Sequence, residues 1–78
     1  MISEYILVFR TNLDTEVNAS IISKQILSFE NVSNCNFDLD DCDKILRVVH
    51  NNFMSENIIK NINVVFATQN FNSTELLD

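Results

Sequence analysis

The chain contains neither glycine nor proline. The first absence excludes a Gly-rich phosphate loop, and it forces other residues into any turn that needs a positive φ. Asparagine tolerates that region best among the remaining types. Asn31, between the helical position Phe29 and the strand residue Val32, is expected to form a left-handed helix C-cap. The pair Asn51-Asn52 and the stretch around Asn70 and Asn72 are expected to turn the chain. Cations are scarce as well: five Lys and Arg stand against eleven Asp and Glu, a net charge of −6. That balance repels phosphate backbones and anionic lipid, so nucleic acid and membrane surfaces are excluded and a basic partner or a cation is favoured. The single histidine has no acid or nucleophile beside it in sequence. Together with the absence of any cofactor motif, this reads as a non-enzyme without a cofactor.

No apolar run approaches the length of a membrane span. The segment from Met1 to Phe9 lacks the basic start and small-residue cleavage site of a secretory signal. The expectation is a cytoplasmic chain, in which Cys35 and Cys42 stay reduced and the sequons at Asn18, Asn31 and Asn72 stay unmodified.

What is present suffices for one core. A 78-residue domain buries about 60% of its unfolded surface, and six phenylalanines within 46% hydrophobic residues can fill it without a disulfide or metal. Tyr5 to Thr11 reads as a buried strand, with Tyr5, Leu7 and Phe9 on one face and Ile6, Val8 and Arg10 on the other. Asp14 or Thr15 can cap the helix that follows, where Ala19, Ile22, Ile26 and Phe29 form one apolar stripe. From Val32 to Leu39 the period returns to two and places Cys35, Phe37 and Leu39 together. Asp40 to Asp43 is a turn by composition, and Lys44 to Val49 pairs back as a hairpin. A second helix is expected over about Ser55 to Phe66, with a short edge strand at Ala67 to Phe71. The domain is therefore drawn as 1–71, followed by a polar tail at 72–78 that carries Leu76 and Leu77. The expected core is Leu7, Phe9, Ala19, Ile22, Ile26, Phe29, Val32, Cys35, Phe37, Leu46, Val48, Ile59 and Ile62.

This βαββα(β) order suits an α+β fold with two helices on one face of an antiparallel sheet. Its motifs are F-x-T-N-L from Phe9, E-N-V from Glu30, F-D at Phe37 and D-K-I-L-R-V from Asp43. As a set they resemble the heavy-metal-associated domain family of copper chaperones and metal-transporting ATPases. The resemblance implies a ferredoxin-like sandwich and, in the turn after the first strand, a metal-binding C-x-x-C. In ungapped register those two ligand positions fall on Thr15 and Asn18. A hydroxyl and an amide do not replace the thiolates that hold copper(I) or zinc, so no metal is expected in this turn and the chain reads as a degenerate member.

The remaining ligand types are dispersed. Cys35 is expected as a core thiol, Cys42 as an exposed loop thiol and His50 as a surface histidine at the far end of its strand. In this topology Asp14 and Glu16 share a pole with Asp40, Asp41 and Asp43. Those five carboxylates with Cys42 form a weak alternative site for a divalent cation, although D-x-D-D-x-D lacks the glycine and distal glutamate of a calcium loop. A solvated charge run is the simpler reading. The sheet face away from the helices offers a different feature: Ile6, Val8, Ile45 and Val49 make its centre aliphatic, with Arg10 and Arg47 beside them. An apolar patch rimmed by charge suits a protein partner or a second copy of the chain. The functional expectation is a non-catalytic binding module that has lost thiolate metal binding. Its alternative is a metal-ion-binding or metal-transport accessory protein using the carboxylates and Cys42 or docking onto the transport machinery.

Overall fold

A computed structural model of the chain describes residues 4–52 and 54–76. Six elements follow in order: β1 (Tyr5–Thr11), α1 (Glu16–Leu27), β2 (Val32–Asp38), β3 (Ile45–His50), α2 (Glu56–Thr68) and β4 (Ser73–Glu75). The strands form one antiparallel sheet in the order β2-β3-β1-β4. This is the ferredoxin-like α+β arrangement. Among the described residues no helix is long and apolar enough to cross a membrane.

Strand alternation builds the core. Leu7 and Phe9 of β1 stand opposite Val48 and Leu46 of β3 in the register, and all four are buried. Ala19, Ile22 and Ile26 of α1 and Ile58, Ile62, Val65 and Phe66 of α2 pack onto them in one cluster. Phe29, Val32, Cys35, Phe37 and Ile59 are half-buried at its edge, while Phe66 lies fully inside, its ring 6.4 Å from that of Phe37.

The C-terminal part differs from the sequence expectation. Residues Ala67 and Thr68 complete α2 rather than begin a strand. Asn70 then takes φ 64°, its N–H donates to Ala67 O at 3.0 Å, and the Phe71 N–H donates to Phe66 O at 2.8 Å. That pair of bonds is a Schellman stop with asparagine in the glycine position, and it returns Phe71 to the core. The edge strand therefore forms inside the segment expected as a tail, with Ser73 paired to Thr11 and Glu75 to Phe9. Leu76 continues the ladder by donating its N–H to Val8 O at 2.8 Å, whereas Leu77 lies outside the described residues.

Asn31 also has positive φ, 75°, but α1 already ends at the C-cap Ser28. With the Val32 N–H donating to Phe29 O at 3.3 Å, Asn31 occupies the third position of a type II turn rather than a helix cap. Lys44 is the third such residue, at φ 50°, on the entry to β3.

Candidate functional site

Three loops meet where β1 ends, and Thr11 ties two of them together. Its N–H donates to Asp43 O at 3.0 Å and its Oγ1 donates to Lys44 O at 2.6 Å, which fixes the β2–β3 turn beside the β1 exit. The same Oγ1 accepts the Leu13 N–H at 3.2 Å. This buried hydroxyl therefore has both its donor and its acceptor capacity used. Leu13, fully buried, anchors the loop in the core. Asn12 secures the third loop, its Oδ1 accepting the Asn72 N–H at 2.8 Å.

On this frame the α1 turn closes on itself. Thr15 is the extended N-cap, and its Oγ1 accepts the Asn18 N–H at 3.2 Å. Both positions are thus occupied in starting a helix. Glu16 follows in the first turn, where the helix dipole favours a negative charge. Asp14 is exposed in the loop before it.

The acidic residues do share this pole, but they divide into separate groups. Glu16 faces Asp38 and Asp40 across an open cleft of about 410 Å³ floored by Ala19, Phe37 and Leu39. Asp41, Cys42 and Asp43 form the tighter group, with one donor atom from each lying within 4.8 Å of the others. One oxygen of each carboxylate already has a partner: Asp41 Oδ1 accepts the Asp43 N–H at 2.8 Å, and Asp43 Oδ1 stands 3.4 Å from Arg10 Nε. Lys44 Nζ donates to Leu39 O at 2.8 Å, which holds the turn compact. Cys42 is exposed and unbridged. Cys35 is half-buried on β2, its thiol 3.8 Å from Ser23 O, and burial pushes its pKa up.

The outward sheet face is narrower than the alternation predicts. Ile6 is 64% exposed, Arg47 is exposed, and Val8 and Val49 are half-buried. Ile45, expected on the patch, is instead buried at 7%. It sits on a central strand opposite Asp38, at the end where Arg10 reaches Asp43, and outside the main core cluster. At that exposure it offers no contact surface.

His50 is the second correction: it is 1% exposed, not a surface residue. The strand runs one residue past Val49, and alternation then turns His50 to the helix side with Leu46 and Val48. Its ring stacks on Tyr5 at 5.5 Å and 28°, and Nδ1 accepts the Asn52 N–H at 3.3 Å. Burial lowers its pKa from the ordinary 6.5. Thr11 and Leu13 also escaped the sequence reading. An apolar residue inside the polar run T-N-L-D-T was the signal for Leu13; Thr11 gave none.

No family model matches the chain, and no curated protein matches it. Among solved structures, the fold is similar to a CsoZ metallochaperone, with a TM-score of 0.65 at 16% sequence identity over 95% of this chain and 99% of that one. At that identity the likeness establishes a shared fold, that of a metallochaperone.

Proposed function

We propose that this chain is a non-catalytic binding module, a degenerate relative of the heavy-metal-associated domains, that keeps a metallochaperone fold without its thiolate loop. The observation that carries the reading is the Thr15–Asn18 cap: the turn that holds soft ligands in the resembled family is closed here by the Asn18 backbone N–H donating to Thr15 Oγ1. A neutral hydroxyl and a carboxamide neither compensate nor polarise toward a soft cation. What the domain binds instead is read from the outward sheet face. Ile6 stands directly opposite Val49 in the register and Val8 opposite Arg47. Both arginines of this acidic chain, Arg10 and Arg47, rise on that face, so it is the region best able to meet an acidic surface. Two copies of net −6 repel each other least where the arginines stand, and isologous pairing through this face would cover Ile6. Val8→Glu is expected to remain folded, because Val8 is only half-buried, and to convert a dimer to a monomer in light scattering after gel filtration. A wild type that is monomeric at high concentration removes the self-association reading.

One observation favours a second reading, a weak cation site at Asp41, Cys42 and Asp43, whose donor atoms already lie close together. Zinc titration followed by amide shifts distinguishes it. Saturable shifts confined to residues 41–43, absent in Cys42→Ser, support the site; uniform or absent shifts exclude it.

A further inference from the structure

The end of the sheet opposite the acidic pole holds a polar group that nothing above uses. His50 lies between Tyr5 of β1 and Val32 of β2 in the register, at the last rung of β3. Its Nδ1 accepts the Asn52 N–H at 3.3 Å, which assigns the ring proton to Nε2. That Nε2 is buried and has no hydrogen-bond partner among the described residues. The ring is therefore held by packing, by the Tyr5 stack and by one backbone bond.

We propose that the Tyr5–His50 stack is an acid-released plug: neutral, it closes the core between β1, β3 and the approach to α2, and one proton on His50 opens that end of the molecule. The geometry supplies the reason. Protonating Nδ1 places two N–H groups against each other, so the bond from Asn52 must break. The resulting imidazolium would carry its charge in a site that offers it no acceptor among the described residues, and burial of an unpaired charge is strongly unfavourable. Leaving the site reaches further than the ring. Asn51 donates its N–H to Asn31 O at 3.0 Å, and Asn52 Oδ1 accepts the Met54 N–H at 3.0 Å. Release of Asn52 thus also disturbs its bond to Met54 and the neighbouring bond from Asn51.

Other charged and titratable groups near this end come from each element around it. Glu4 and Tyr5 belong to the β1 side, Lys24 to the last turn of α1, Glu30 to the turn before β2 and Glu56 to the first turn of α2. Glu4 accepts a 3.4 Å bond from Ser33 Oγ; Glu4, Lys24, Glu30 and Glu56 are all exposed, and none pairs with the ring. Their fields are screened by water, so they do not supply the missing acceptor.

The sign follows from the lowered pKa. Between the folded value and 6.5 the unfolded chain holds a proton that the folded chain lacks. The stabilisation is full above 6.5 and is lost as pH falls toward the folded value. Because the chain has one histidine, the response is assigned without ambiguity. The test is urea unfolding of the full chain from pH 7.5 to 5.0, with imidazole ¹⁵N shifts recorded on the same samples. The wild type is expected to show the Nε2–H tautomer at neutral pH and to lose up to about tenfold in its folding equilibrium constant per pH unit below 6.5. His50→Phe is expected to be flat over that range. Should that variant fail to fold, hydrogen exchange of the wild type decides. Protection, corrected for intrinsic rates, should fall at Tyr5, Asn51 and Asn52 while Leu13 keeps its own. A flat wild-type profile, the same slope in His50→Phe, or uniform loss of protection overturns the proposal.

Discussion

Where β1 ends, the loops are rich in charge, and where β1 begins, the same strand carries a stacked tyrosine over a buried imidazole. The first end exposes its acids to water and holds its backbone with one buried hydroxyl, Thr11, whose donor and acceptor are both used. The second end buries a titratable ring with one nitrogen unpartnered. Charge in solvent demands little of the fold, so the acidic pole can carry many carboxylates while only Asp41, through its bond from the Asp43 N–H, shapes the turn. A buried polar atom has no such freedom. The order of this domain rests more on Thr11 and Leu13 at one end and on His50 at the other than on its charged residues.

Two substitutions press on that contrast, the larger first. Leu13→Ala removes the fully buried anchor of the β1 exit loop and is expected to cost about 2–5 kcal/mol in urea unfolding. A loss below that range would mean that the loop is held by its hydrogen bonds alone. Tyr5→Ala removes the stack over the imidazole, worth about 1 kcal/mol, and admits water to the ring. The His50 titration, read from its ring protons, should then move up toward 6.5; an unchanged titration would show that Tyr5 does not keep the ring dry.

Most of the fold was legible because periodicity reports burial directly. The stripe of Ala19, Ile22 and Ile26 and the inward residues of β1 and β3 packed as their spacing required. The cap was legible to within one residue, as Asp14 or Thr15, since either side chain before an acidic first turn can start a helix; the structure selects Thr15. Other features were not. The strand β4 lies in a polar segment whose pairing depends on the Asn70 turn and on Thr11, neither of which leaves an alternating pattern. Ile45 alternates outward yet is buried, which the alternation of one strand does not record. His50 turned inward because β3 is one residue longer than its β-branched run. In the candidate site, the sequence located the acidic pole but not its division into a cleft and a turn, because that division is set by the backbone bonds of Thr11 and Asp41.

The proposed function holds that a fold shared with a metallochaperone carries no thiolate chemistry in its first turn here. Competition for copper(I) against a chromogenic chelator under reducing conditions tests it most directly, with Thr15→Cys/Asn18→Cys as the control in which the ligand pair is restored. The account predicts that the wild type leaves the copper with the chelator while the double variant withdraws it. Stoichiometric withdrawal by the wild type would contradict the account.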